Sequence, residues 1–523
     1  MSGPLERLAG RIEVGLDGRP TPVVAGVVTG LLFWWLAGSL APVPWVYDEA
    51  AYLLQSKIFA AGQWAAAGRP LPEFFEQIHV FATPRLVPKY PPGHALLLVP
   101  GIWAGAPWLM PLLFTAVTGA LVFGFARALL GAWAGLLTWL IWVTSPEELY
   151  IRPSYLSQVS TTLVWLGGWW AFERWRVTRR RGPLVGLAVL AAIGVLTRPI
   201  TAFAFLLPIG VVVLREAWRH RLGGQVIAAL AVAAPVLGVA AWWSYASSGR
   251  VFPTPYSEYS RVYAPWNMPG FAVDRSPPLR AEIPAIARFR TEWIPIHERH
   301  TIGRLPMIAV ERLGGIGITF FGDGGFPGTR YPLRWLLLVG LIAGLAGMPR
   351  ALGVVVLSGG VLFVAMLWLA SRPLWTVYYL EVFPALAGVT ALGCWRLAEW
   401  AARRTGRPIA PILVLAGIVV AVPGVVERLI RAKQQQEDVR LVPTDLARRV
   451  AGIEGRAVVF VASGPPHRPF ESYVTNEPDL DQARVWIVHD RGDDNARLLA
   501  LAPDRRAYRF DPGTGALAPL GRP

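Results

Sequence analysis

Asp48-Glu49 follows the first long apolar block of the chain, and Arg85, Lys89 and Tyr90 stand directly before Pro91-Pro92-Gly93. A carboxylate at the edge of a bilayer can take the proton from an attacking hydroxyl as a new bond forms, which makes Asp48 and Glu49 the candidate catalytic carboxylates. Equally, acids at a helix start cap free N–H groups and complement the helix dipole. Arg85 and Lys89 carry the charge needed to stabilise a departing phosphate, and Tyr90 stands beside them. A basic residue and a tyrosine at that level also serve as plain interfacial anchors.

Further along, Arg198 precedes Pro199 between two short apolar segments. It can clamp a phosphate through its planar fork or cap carbonyls at a helix end. Glu381 lies within an apolar block, where an ionisable group normally faces a partner or an aqueous cavity. Arg372, Tyr378 and Tyr379 share its neighbourhood, so substrate binding and a simple Arg372–Glu381 packing pair are both open. Glu147-Glu148 suits either a second acidic site or a helix end. His297 and His300 belong to no complete zinc motif. Asp479-Leu480-Asp481 is a three-residue match to metal–diphosphate motifs and reads as solvated surface. No P-loop, dinucleotide-binding turn or serine nucleophile elbow occurs, and no metal ligand set is assigned.

The elements that must position these residues are membrane spans. Apolar residues make up 54% of the 523-residue chain and fall in long charge-free blocks separated by short Arg-rich segments. A bilayer core of about 30 Å takes roughly 20 apolar residues per helix. Eleven blocks qualify, at approximately 21–43, 108–127, 132–146, 155–173, 183–197, 199–215, 224–245, 333–349, 351–370, 374–396 and 409–427. The net charge of +16 sits largely in short loops. That places Arg127, Arg174–Arg181, Arg215–Arg221, Arg350 and Arg396–Arg407 on the cytoplasmic side, with the N-terminus inside and the C-terminus outside. Nucleic-acid binding is not expected. Residues 21–45 are too long for a secretory signal core and are expected to form a retained first span.

Arg198-Pro199 reads as a tight outer turn between two spans, or as a kink in a single helix that would flip every later loop. Within a membrane domain of residues 1–430, two soluble-like segments face outward, 44–93 and 246–332. A third, 431–523, is expected to be a small α/β domain with strands at Ala457–Ala462 and Arg484–Val488. Asp48 to Ala67 has helical spacing, and a short apolar run after Gly93 predicts a juxtamembrane or re-entrant helix. The 24 tryptophans suit interfacial belts, though several lie mid-segment, and the single cysteine, Cys394, forms no intrachain disulfide.

The first loop resembles that of the bacterial GT-C-type membrane glycosyltransferases, the group that includes relatives of protein O-mannosyltransferases and aminoarabinose transferases. The resemblance is carried by Tyr47-Asp48-Glu49, the stretch Ala51–Ala61, Pro72–His79, Thr83-Pro84-Arg85 and Lys89-Tyr90-Pro91-Pro92-Gly93. Thinner similarity continues at Ser154–Gln158, Leu196–Pro199, Tyr378–Pro384 and Val458–Phe510. It implies an all-α polytopic GT-C-type fold and inverting transfer of a sugar from a polyprenyl-phosphate donor to an acceptor outside the cytoplasmic membrane. By the same resemblance Asp48 is the base, and Lys89 and Arg198 contact the phosphate. No cofactor is required, and metal dependence is left open. No Asp occurs between Asp48 and Asp274, where relatives often carry one, and Val377 stands where many carry an Arg. The competing readings are a transporter or flippase, which predicts inverted repeats and charge pairs at mid-membrane, and a non-catalytic scaffold.

Overall fold

The computed structural model describes residues 4–38, 43–280, 284–322, 333–462 and 473–521. The described chain is a multi-pass, mostly helical membrane protein. Its first helix, α1 (Pro4–Asp17), lies at 87° to α2 (Thr21–Ala37), the first apolar helix. The first loop then forms α3 (Tyr47–Ala60) and three short strands, β1 (Ala66–Ala67), β2 (Val80–Phe81) and β3 (Arg85–Pro88), in the antiparallel order β1-β3-β2. The helix expected to reach Ala67 stops at Ala60, because Gly62 takes a left-handed backbone and β1 pairs with β3 instead.

The bundle follows as α4 (Pro92–Trp103), α5 (Leu109–Leu130), α6 (Ala132–Val143), α7 (Pro146–Ile151), α8 (Ser157–Thr178), α9 (Arg181–Thr197), α10 (Pro199–Arg219) and α11 (Gly223–Ser248). The second large loop contributes α12 (Pro255–Tyr263), α13 (Pro284–Arg299) and α14 (Leu305–Phe321). The bundle closes with α15 (Leu333–Leu345), α16 (Arg350–Met366), a 3₁₀ turn at Thr376–Val382, α17 (Phe383–Thr405) and α18 (Ala410–Ala451).

Every one of the eleven expected segments holds helix, but the count of eleven spans is not reached by length and composition. Five described helices qualify, or seven if the bent pairs α1–α2 and α15–α16 each count as one. With 12 residues, α6 is only about 18 Å long. The 22-residue α8 carries Ser157, Gln158, Ser160, Thr161 and Thr162 along its first turns. Arg198-Pro199 is a turn between two helices and not a kink. A Cβ built on Gly194 would sit 3.8 Å from the Ala202 Cβ, whereas eight residues of continuous helix would separate them by about 12 Å.

The tryptophans divide between the bundle interior and its outer surface. Trp133, Trp142, Trp165, Trp169 and Trp175 fill the bundle interior, while Trp103, Trp218 and Trp242 remain exposed. Burial of large aromatics supplies much of the contact area that holds spans together where lipid offers no hydrophobic drive.

The C-terminal domain is a four-stranded sheet of β4 (Ala457–Val461), β5 (Val485–His489), β6 (Arg506–Asp511) and β7 (Ala516–Pro519), with α19 (Asn495–Leu501) before β6. Its order is β5-β4-β6-β7, parallel except for β7. It is continuous with the bundle, because α18 runs unbroken for 42 residues, about 63 Å, through the expected boundary at 430. The first loop also enters its core. Phe74 and Phe75 pack with Val458, Phe460 and Trp486. Arg69 donates to the carbonyls of Glu477 and Pro478, Lys57 pairs with Glu477 at 2.6 Å, and His489 bonds the Glu76 carbonyl.

Candidate active site

Asp48 lies in the first turn of α3 with its side chain 42% exposed. The Tyr90 hydroxyl donates to its Oδ1 at 2.5 Å, and His79 Nε2 lies 3.8 Å from Oδ2. Burial and the nearby Lys89 hold His79 well below the usual histidine range, so this contact joins a neutral ring to the carboxylate. The β2–β3 hairpin delivers both partners: Val80 pairs with Pro88, and the Lys89 N–H donates to the His79 carbonyl at 2.9 Å.

Lys89 is buried, and its ammonium is ringed by Tyr256 at 4.6 Å, Tyr259 at 5.2 Å and Tyr90 at 5.3 Å from the ring centroids. The π faces stabilise the cation. Desolvation dominates nonetheless and lowers its pKa to about 8, with Asp48 pulling the other way. Among the described residues no carboxylate forms an ion pair with it.

From Tyr90 a polar path runs into the bundle. Tyr52 stacks on Tyr90 at 4.5 Å and donates to Ser157 Oγ at 3.0 Å. Arg198 Nη1 lies 3.4 Å from the same oxygen, and Arg198 Nε sits 3.1 Å from Glu381 Oε1. That last pair makes close ionic contact without hydrogen-bond alignment. Tyr378 lies within electrostatic reach of Asp48, Tyr256 and Arg198. The first loop, the α9–α10 turn, the start of α8 and the 3₁₀ turn before α17 therefore meet at one place.

Gly93 is what lets the first loop reach that turn. A Cβ there would come within 2.7–2.8 Å of the Leu196 backbone and Cβ, atoms that cannot swing away. Gly93→Ala is expected to cost about 1–3 kcal/mol and to lower the thermal midpoint of the purified protein, with donor binding weakened as Lys89 shifts from Arg198.

The other candidates separate from this cluster. Glu49, one residue after Asp48 and so about 100° round the helix, is fully buried. It accepts the Tyr155 N–H at 2.9 Å and lies near Arg440 of α18. Burial raises its pKa to about 7. It ties the first loop to the segment between α7 and α8 and has no access to a reacting atom. Glu49→Gln keeps an acceptor for Tyr155 and is expected to retain turnover. Glu49→Ala leaves buried donors unpaired, and a melt should register about 1–3 kcal/mol lost.

Arg372 pairs with Glu292 of α13 at 3.1 Å, so the Arg372–Glu381 packing pair does not form. Tyr379 turns to Arg312 on α14, and Arg85 donates to the Ala246 carbonyl at the end of α11. Glu148 forms a buried pair with Arg152 and accepts from Trp142, while Glu147 bonds Thr376. His297 bonds Asn267, His300 stacks on Phe271, and Asp479 closes a turn onto Asp481. Among the described residues no group of three or more His, Cys, Asp or Glu is placed to hold a metal ion.

Tyr52, His79, Tyr256 and Tyr259 escaped selection as single residues. Their signal was present in the spacing. Tyr52 is four residues from Asp48 on one helix face, and Tyr256, Tyr259 and Tyr263 form a stripe at i, i+3, i+7 on α12.

No protein-family model matches the chain, and no curated protein does. Solved structures do. ArnT from Cupriavidus metallidurans in the apo state aligns over 94% of this chain and 93% of its own, at 15% identity and a TM-score of 0.53. The same protein bound to undecaprenyl phosphate aligns over 95% and 94%, at 15% identity and a TM-score of 0.51. The chain has a GT-C-type fold. An oligosaccharyltransferase from Archaeoglobus fulgidus also aligns, at 12% identity and a TM-score of 0.44, over 69% of its own length. The alignment with these structures extends along nearly the whole chain.

Proposed function

We propose that this protein is an integral-membrane glycosyltransferase that moves a sugar from a polyprenyl-phosphate carrier to an acceptor hydroxyl on the outer face of the cytoplasmic membrane. The observation that carries the reading is the meeting of an exposed carboxylate, Asp48, with a buried Lys89 that forms no ion pair among the described residues, around one cluster that reaches Arg198 in the bundle. The GT-C-type fold, shared with a protein solved with undecaprenyl phosphate bound, supports the choice of donor.

In this scheme Asp48 takes the acceptor proton as the hydroxyl oxygen attacks the anomeric carbon. The bond from that carbon to the phosphate oxygen breaks, and the polyprenyl phosphate leaves with the electron pair. Lys89 stabilises the charge that develops there. A single displacement inverts the anomeric centre. Tyr90 and Tyr52 orient the carboxylate and fix the loop. Glu381 is a positioning residue, holding Arg198 at the α9–α10 turn so that its remaining N–H groups face the phosphate. An apolar, partly open recess lined by Phe33, Trp34, Trp108 and Leu112 adjoins Ser154 and Tyr155, and in this scheme the isoprenoid tail lies along that apolar surface.

The reading is tested by giving the purified protein, in lipid nanodiscs, a panel of polyprenyl-phosphate sugars with acceptor-containing membranes. Release of free polyprenyl phosphate with an inverted glycoside is expected. A protein that consumes no donor but moves the intact lipid across the bilayer would instead be a flippase.

A further inference from the structure

Arg85 stands on the same strand as the approach to Lys89 but faces elsewhere. It lines an open groove of about 440 Å³ together with Gln63, Trp64, Pro84 and Ala246. One guanidinium nitrogen, Nη1, donates to the Ala246 carbonyl at 2.7 Å, and among the described residues no carboxylate pairs with the group. Four N–H donors therefore remain on an exposed cation.

The groove sits at the boundary of the bilayer. Ala246 lies in the last turn of α11, whose apolar length faces outward from the bundle. Trp242 and Tyr245 in that turn are 55% and 54% exposed, and Trp103, at the end of α4, is 71% exposed while its indole N–H donates to the Ala60 carbonyl just before the groove. Exposed amphipathic aromatics at the end of an apolar helix mark headgroup level. A free Arg fork at that depth, beside an amide and an indole, matches a lipid phosphate in charge and in bidentate geometry.

We infer that this groove binds the phosphate of an anionic lipid headgroup from the surrounding leaflet. The inference does not rest on the proposed reaction, since Arg85 lies apart from the Asp48 cluster. Binding there would tether β3, which leads directly into Lys89, to the membrane surface.

The test counts phosphatidylglycerol molecules retained by the full-length protein. The protein is released from phosphatidylcholine nanodiscs doped with graded phosphatidylglycerol and read by native mass spectrometry. The wild type is expected to hold one phosphatidylglycerol that Arg85→Gln holds about fivefold more weakly, the typical worth of one basic residue at a charged surface. Arg85→Lys, which keeps the charge, should restore part of the retention, and Arg334→Gln, a cation elsewhere, should leave it unchanged. Melting curves of each variant separate a lost site from a lost fold. Equal retention by the wild type and a folded Arg85→Gln protein overturns the inference. So does displacement by soluble glycerol 3-phosphate at matching concentration, which would mean the groove takes a free phosphate.

Discussion

Asp48→Asn should fold as the wild type does and lose about 10²–10⁴-fold in kcat, the range for removing a general base. The amide keeps an oxygen to accept the Tyr90 hydroxyl, so the 2.5 Å contact that anchors the loop has a neutral replacement. Asn cannot take a proton from the acceptor. Because the carboxylate is exposed at the rim and Lys89 is buried behind it, donor affinity should change little while turnover falls. Kinetics with a polyprenyl-phosphate sugar at saturating acceptor would show this, alongside a melting curve. Equal turnover by the two proteins would remove Asp48 from the chemistry. A neighbouring test gives direction: Tyr90→Phe removes the hydrogen bond but leaves the base, and should cost far less than Asp48→Asn.

Lys89→Met is expected to lower kcat/KM by about 10²–10³-fold, the loss typical of removing one preorganised charge stabiliser. The pH dependence supplies the mechanism. Burial among three tyrosines lowers the Lys89 pKa to about 8, so the free protein carries the cation below that pH and loses it above. The profile of kcat/KM should therefore fall on an alkaline limb near pH 8. The profile of kcat should fall at higher pH, since a bound phosphate favours the charged form. Lys89→Arg keeps its charge throughout and should flatten the limb in kcat/KM even if its bulk reduces the maximum. A limb that persists unchanged in Lys89→Arg would assign the titration to another group.

How far the site was readable from the sequence differs residue by residue. Asp48, Lys89 and the Pro-Pro-Gly turn were visible because all three follow local rules: an acid after an apolar block, a cation at a bilayer edge, a turn before a helix. The strands at 457 and 485 were visible through their apolar runs. Roles that depend on which way a helix faces were not. Asp48 and Glu49 look equivalent as a dipeptide, but the helical rotation between them sends one toward Tyr90 and His79 and the other beneath the turn before α8, toward Tyr155 and Arg440.

Long-range pairing was hidden for the same reason. Glu381 lies nine residues from Arg372 in the chain, yet the 3₁₀ turn carries it to Arg198, 183 positions away, and leaves Arg372 to Glu292. Composition records how many tryptophans there are and not which side of a helix meets lipid, so the split between buried and exposed tryptophans was not legible from it. Length and composition alone qualify fewer spans than eleven because helices such as α6 are apolar but short. No helix end marks residue 430, because α18 continues past its last apolar turn to Ala451, just before the sheet.

The central claim is that the first loop and the α9–α10 turn form a single pocket around a lipid phosphate. It is tested most directly by photolabelling the protein in nanodiscs with a polyprenyl phosphate that carries a photoreactive group beside the phosphorus. Peptide mapping should place the label within residues 85–94 and 194–201, with labelling of Lys89→Met and Arg198→Ala proteins sharply reduced. Label confined to the C-terminal sheet or to the far ends of the spans, and unchanged by those substitutions, would contradict it.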